Sequence, residues 1–363
     1  MVPLVTPLVT LLVACGAVFG AGCGELHPVP SMGSDEALEA PHEGVYEVPD
    51  APKRPYLLRI PEAGEGDPRP LLIALHRSGG RYETLRRLSC RDGDTNHPDC
   101  LSALADREGF VLAMPSGTNA IFLDGVRTWN AGGGGDVACV SGRACEEDVD
   151  DVSYIDTVVA EVSRATLIDP ARIYVVGMSN GGAMAHRLAC ERSTVYAAVA
   201  SVAGGNQLQG GQGCFPARPI PVLQVHGDAD PCWGMDGSSR CRGEATGDLV
   251  GIRDTFEGWR QRNGCDADAV VSDVEDNVVD RDVSGDDTAA RREVFVGCRE
   301  DTATEMIVIE GGGHAWPGGF AYAGNDAIGV TSRRFVANDL IWEFLSRHTL
   351  PTALLPADAG ASR

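Results

Sequence analysis

Six nearly unbroken apolar runs recur along the chain: PLLIALH at 70–76, FVLAMP at 110–115, RIYVVGM at 172–178, AAVASVAG at 197–204, PVLQVHG at 221–227 and EMIVIEG at 305–311. A strand with one wet face alternates apolar and polar residues, so unbroken runs belong to strands covered on both faces, as in a mostly parallel sheet. Amphipathic patterns lie between them, at 152–167, 181–191, 249–264 and 332–348, and predict helices on both faces of that sheet. A strand-like YLLRI at 56–60 precedes the first run. The expected class is α/β, and 363 residues at 43% apolar content suffice for one large domain or two smaller ones. One domain over 49–349 takes in every run. Two stretches break the rhythm, 128–151 and the acidic 266–298, and loops of that length in a compact domain are usually functional or poorly ordered.

The ends read differently. Residues 1–23, MVPLVTPLVTLLVACGAVFGAGC, have the layout of an export signal or lipoprotein leader, an apolar stretch followed by small residues. No Lys or Arg precedes that stretch, and Pro3 and Pro7 interrupt it, so a buried helix or a retained anchor stays an alternative. LVAC ending at Cys15 and GAGC ending at Cys23 both resemble bacterial lipoboxes, which makes either cysteine a candidate for lipid attachment. Residues 24–48 are expected to be a tether rich in Pro, Gly and acidic side chains, and 350–363 a flexible tail. The other ten cysteines, an even number in a chain that reads as exported, are expected to form disulfides in a secreted or cell-envelope protein. Neighbours pair as Cys90 with Cys100, Cys139 with Cys145, Cys190 with Cys214, Cys232 with Cys241 and Cys265 with Cys298, although spacing does not set connectivity. No C-x-x-C or close Cys/His cluster is present, and no metal is expected. The net charge of −22 repels phosphate backbones and anionic membranes, which argues against nucleic acid as a partner.

The chemistry concentrates around GMSNGG at 177–182, between the strand RIYVV and the helix AMAHRLACE. A G-x-S-x-G turn from strand to helix holds its serine hydroxyl at the sheet's carboxyl edge, so Ser179 is the candidate nucleophile. A serine hydroxyl needs a base to take its proton, and the imidazole needs an acid to orient it. The chain order in this kind of fold is Ser, then Asp or Glu, then His. HGDADPCWG, after the strand PVLQV, offers Asp228 and Asp230, and GGGHAWPGG, after the strand MIVIE, offers His314. Other histidines fit less well: His27 and His42 lie in the tether, His97 in an acidic loop, His186 within a helix and His348 near the C-terminus. Oxyanion donors are expected from the backbone N–H of Asn180, at the positive end of its helix, and from the loop LHRSGG at 75–80.

LHRSGG, VVGMSNGGAMAHRLAC, VHGDADP, RNGC, GGGHAWPGG and DLIWEFLSRH, in that order over roughly 55–348, resemble the secreted polyhydroxybutyrate depolymerase and feruloyl esterase-like family of α/β-hydrolases. The resemblance implies the α/β-hydrolase fold and a serine esterase with Ser179 as nucleophile, His314 as base and Asp230 as its orienting acid. It sets Trp129 and Trp316 beside the cleft as substrate contacts, with core packing as the alternative for both. The chain departs from the family at Arg77, where members carry glycine after the histidine of the first loop. That bears on the second oxyanion donor, the N–H of Ser78, and gives Arg77 a guanidinium able to select acidic substrates. A second departure is DADPCWGMDGSSRC, a disulfide loop in place of a short apolar continuation.

The activity this implies is that of an exported serine carboxylesterase without metal or organic cofactor, acting on feruloyl or acetyl esters of plant polysaccharide or on short polyhydroxyalkanoate esters. Two rivals compete with it. One is a non-catalytic binding protein with an oxyanion loop impaired at Arg77, since fold alone does not guarantee turnover. The other is a peptidase on the same scaffold, disfavoured because no substrate-gating domain accompanies the catalytic region. Oligomeric state is not legible from the residues.

Overall fold

The apolar runs assemble into one sheet of ten strands. The computed structural model describes residues 37–355 except 52, 63–65, 120–125, 134–138, 140, 209–212, 242–248 and 278–285. In chain order the elements are β1 (His42–Glu47), β2 (Pro55–Ile60), β3 (Arg69–Leu75), α1 (Tyr82–Leu88), α2 (Leu101–Glu108), β4 (Val111–Pro115), the two-residue β5 (Thr118–Asn119) and β6 (Arg127–Thr128), and α3 (Arg143–Glu146). There follow α4 (Asp151–Ala165), β7 (Ile168–Met178), α5 (Asn180–Glu191), β8 (Ala198–Val202), β9 (Val222–Gly227), α6 (Ile252–Asn263), β10 (Ala269–Asp273), β11 (Ala289–Phe295), β12 (Thr304–Glu310), α7 (Asn325–Ile328) and α8 (Ala337–Leu345). The strand order is β1-β2-β4-β3-β7-β8-β9-β12-β11-β10. From β4 to β12 every pairing is parallel, and the flanking pairs are antiparallel. β5 and β6 pair with each other.

Alternate residues of each central strand feed different cores. Leu71, Ile73 and Leu75 of β3 pack with Ile155 and Val158 of α4, Met184 and Leu188 of α5 and Phe256 and Trp259 of α6. Leu72 and Ala74 face the other way, among Leu85 of α1, Leu104 of α2 and Ile341 and Phe344 of α8. Each fully buried side chain of this size contributes about 1.5–3 kcal/mol relative to exposure, which is why both faces must be apolar. Register sets the functional edge. Leu75 pairs with Gly177, and Ile309 pairs with Gly227, so β3, β7, β9 and β12 end side by side.

The folded unit extends beyond 49–349. Residues 42–47, expected in the tether, form edge strand β1, with Val45 paired to Leu57 and Tyr46 to Tyr56. At the other end Leu350 is buried and its N–H donates to the Ala171 carbonyl. The short helices α1 and α2 escape a periodicity reading because seven or eight residues give too few turns to display a stripe. The acidic 266–298 stretch contributes the hairpin strands β10 and β11, which extend the sheet past β12. All five neighbour pairs of cysteines are joined: Cys90–Cys100, Cys139–Cys145, Cys190–Cys214, Cys232–Cys241 and Cys265–Cys298. Five disulfides fit an oxidising compartment outside the cytoplasm. The leader, with Cys15 and Cys23, lies outside the described residues.

Candidate active site

Ser179 sits where β7 turns into α5, at φ 55° and ψ −120°. A non-glycine residue pays roughly 1–3 kcal/mol for such backbone, so surrounding contacts must hold it. They do: the Ser179 N–H donates to the Val202 carbonyl at 2.8 Å, and the Ser179 carbonyl accepts from the Ala183 N–H at 2.9 Å. The turn passes so close to β3 that a Cβ on Gly181 would lie 2.4 Å from the Leu75 carbonyl oxygen and 2.5 Å from that of His76. Only glycine fits there.

The loop after β12 brings His314 to this serine, with Nε2 2.8 Å from Ser179 Oγ and Nδ1 2.7 Å from Asp230 Oδ2. Asp230, in the loop after β9, has its other oxygen occupied: Oδ1 accepts from the N–H groups of Cys232 at 2.7 Å and Trp233 at 2.8 Å. Burial alone would push this carboxyl up. The positive charge of His314 and the hydrogen bonds from His226 and His314 outweigh it and hold the carboxyl well below the usual range. Asp228 is exposed and accepts from the Gly311 N–H at 2.7 Å, away from the imidazole.

Asn180 opens α5, so its N–H belongs to the first-turn donors without an intrahelical acceptor. Its side chain is locked: Oδ1 accepts from the Trp129 N–H at 2.7 Å, while Nδ2 donates to the Trp129 carbonyl at 3.0 Å and to Ser141 Oγ at 2.8 Å. The 128–151 stretch therefore buttresses the start of α5. Trp129 differs from the expectation that it would contact substrate. Its ring is fully buried and its indole N–H donates to the His76 carbonyl at 2.9 Å. Trp316 is likewise buried, in the core beside α8, with its indole donating to Asn338. For both, apolar area and one satisfied N–H favour the interior.

In the 75–80 loop, the Gly117 N–H donates to His76 Nε2, which leaves Nδ1–H to donate to the Arg77 carbonyl at 2.8 Å. Burial pushes the His76 imidazole down to about 3, so it stays neutral. The left-handed residue of this turn is Gly79, at φ 75°, and Arg77 is not among the residues with positive φ, so arginine there brings no backbone strain. Its guanidinium lies 4.0 Å over the Tyr322 ring and donates to the Ser78 carbonyl.

Beside Ser179 is a cavity of about 340 Å³ lined by Ser78, Asn180, Cys232, Trp233, Ser239, Cys241, Leu249 and His314. The tryptophan on its wall is thus Trp233, carried by the Cys232–Cys241 loop, and its indole donates to the Val250 carbonyl. The spacing of the two cysteines marked that loop, but only their closure beside Asp230 shows it forming a wall. Among the described residues one group has metal-ligand geometry, Asp230, Cys232 and His314. The disulfide removes Cys232 as a thiolate ligand, and the other two bond each other.

No family model matches the chain. It is 27% identical over 294 residues to Feruloyl esterase C of Emericella nidulans, spanning 80% of this chain and 83% of that protein. With Feruloyl esterase B of Piromyces equi the identity is 27% over 212 residues, 56% of this chain but 35% of that longer protein. With the protein named "Putative esterase NocK" of Nocardia uniformis subsp. tsuyamanensis it is 30% over 286 residues, spanning 76% of this chain and 74% of the relative. The chain belongs to an esterase family of α/β-hydrolases that includes feruloyl esterases. As a member of this esterase family it is a carboxylic ester hydrolase, and ester-bearing molecules are its substrates.

Proposed function

We propose that this protein hydrolyses esters through an acyl-enzyme formed on Ser179. The observation carrying this reading is the unbroken path from Ser179 Oγ through His314 to Asp230, at 2.8 and 2.7 Å. Ser179 Oγ attacks the ester carbonyl carbon as His314 Nε2 takes its proton. The alcohol oxygen leaves with that proton, and water, deprotonated by the same nitrogen, releases the acid and restores the serine. Asp230 holds the imidazole with Nδ1–H toward itself, and the N–H groups of Asn180 and Ser78 stabilise the oxyanion. No metal or organic cofactor enters this chemistry.

The cavity supports a compact acyl group with one flat face. Trp233, Leu249 and the Cys232–Cys241 disulfide supply apolar wall, and Ser239 supplies a hydroxyl. We read the substrates as feruloyl or acetyl esters of plant polysaccharide, with short hydroxyalkanoate esters next. Export belongs to the same reading, supported by the disulfides and by the leader-like residues 1–23. Purified protein is expected to hydrolyse p-nitrophenyl acetate, p-nitrophenyl butyrate or methyl ferulate, and to take a fluorophosphonate label, with both lost in Ser179→Ala. Retention of activity in that variant refutes the mechanism, and preference for hydroxybutyrate oligomers over methyl ferulate corrects the substrate class.

A further inference from the structure

Behind Asp230 runs a chain of buried polar side chains that the reaction above does not use. Trp259 Nε1 lies 3.0 Å from His186 Nδ1, and His186 Nε2 lies 3.0 Å from Gln224 Oε1. Gln224 Nε2 lies 3.3 Å from His226 Nδ1, and His226 Nε2 lies 2.7 Å from the Trp233 carbonyl and 3.2 Å from Asp230 Oδ2. All four residues are essentially inaccessible to water.

The direction of every bond follows from one end. An indole N–H can only donate, so His186 Nδ1 accepts and its proton sits on Nε2. That N–H has the Gln224 oxygen as its acceptor, 3.0 Å away. The Gln224 amide then presents its NH₂ to His226, so His226 Nδ1 accepts and its proton too sits on Nε2, facing Asp230 and the Trp233 carbonyl. Protonating His226 would create a donor–donor clash at Gln224, and turning the amide over would only move the clash to His186 or to Trp259. The titratable groups facing His226 are Asp230 and, through Gln224, His186. Burial pushes His186 down to about 4, in keeping with a neutral ring there.

We propose that His226 is a positioning residue, held as the neutral Nε2–H tautomer by the chain from Trp259. Its Nε2–H donates to the Trp233 carbonyl at 2.7 Å with Asp230 Oδ2 3.2 Å from the same nitrogen, and so fixes the loop whose Cys232 and Trp233 N–H groups hold Asp230 against His314. This rests on the catalytic reading of Ser179, His314 and Asp230.

Nitrogen-15 histidine spectra of the wild-type protein between pH 5 and 9 read the tautomers directly. His186 and His226 are expected to carry a ring proton on Nε2, and a His226 whose proton sits on Nδ1 overturns the proposal. In kinetics on p-nitrophenyl acetate, His226→Leu is expected to lower kcat about ten- to a hundredfold with little change in KM, the scale of a buried acceptor left without its donor. His226→Gln, which can present an N–H where Nε2–H stood, is expected to recover most of that loss. Full kcat in His226→Leu while Ser179→Ala is dead overturns the positioning role alone, whereas an active Ser179→Ala overturns the reading beneath it.

Discussion

Replacing Asp230 with asparagine tests the orientation of the base at a single oxygen-to-nitrogen exchange. The carboxylate accepts on both sides, from the N–H groups of Cys232 and Trp233 at Oδ1 and from His314 at Oδ2. An amide has one acceptor oxygen. If its NH₂ faced the two backbone N–H groups, neither could change its proton, and the disulfide loop would have to open. If it faced His314, the imidazole could respond by moving its proton from Nδ1 to Nε2. The second arrangement is the cheaper one, and it turns the Nε2–H toward Ser179 Oγ, 2.8 Å away, so the base can no longer accept. Loss of the charge that stabilises the imidazolium acts in the same direction. The expected effect is a fall in kcat of about 10⁴-fold, or about 5.4 kcal/mol of barrier, with KM nearly unchanged. Initial rates on p-nitrophenyl acetate with circular dichroism as the folding check measure it, and exposed Asp228, substituted the same way, serves as control. Asp230→Asn activity above a tenth of wild type, or an equal loss in Asp228→Asn, refutes the reasoning.

Other consequences follow from the same geometry. Gly181→Ala puts a Cβ against two backbone carbonyls at 2.4 and 2.5 Å, so it is expected to lower the melting temperature by several degrees and to cost at least about tenfold in kcat; wild-type values for both would show that the turn has slack. Three histidines are pushed down by burial, His76 to about 3 and His186 and His348 to about 4, so the unfolded chain binds their protons first. Their stabilisation is complete above about pH 6.5 and is lost as pH falls toward 4, each adding up to about 1.4 kcal/mol per pH unit to the slope. Urea unfolding at several pH values, in salt sufficient to screen the net charge, checks this, and a flat profile down to pH 4 contradicts it. Arg77→Ala is expected to leave the relative rates on carboxylated and neutral esters unchanged, because the guanidinium rests on Tyr322; a selective loss on carboxylated esters would return Arg77 to the cleft.

Much of the architecture was legible because it follows from local rules. Unbroken apolar runs can only be strands covered on both faces, and their alternation with amphipathic helices leaves little besides a parallel sheet. The strand–serine–helix turn, with an acid and a histidine after later strands, followed from the same logic, since loops after parallel strands share an edge. The choice of Asp230 over Asp228 rested on loop position together with the family resemblance, and His314 Nδ1 lies 2.7 Å from Asp230 Oδ2. The G-x-S-x-G spacing put Gly181 in that turn, and the Leu75 and His76 carbonyls give the reason only glycine fits there.

What stayed hidden depends on contacts between distant segments. The residues of β1 are polar enough to read as a tether, and only pairing with β2 makes them a strand. A tryptophan looks the same in sequence whether its ring faces substrate or core; burial assigned Trp129 and Trp316 to the interior and put Trp233 on the cavity wall. Nothing in the sequence links His186, Gln224 and His226, because a hydrogen-bond chain from α6 through α5 to β9 exists only once three elements have packed. The sequence by itself determined the layers and the edge where the reactive side chains gather, since patterning and chain order are local properties. Tertiary structure alone decided which side chains meet there and which partners each histidine ring faces, since those depend on residues far apart in the chain.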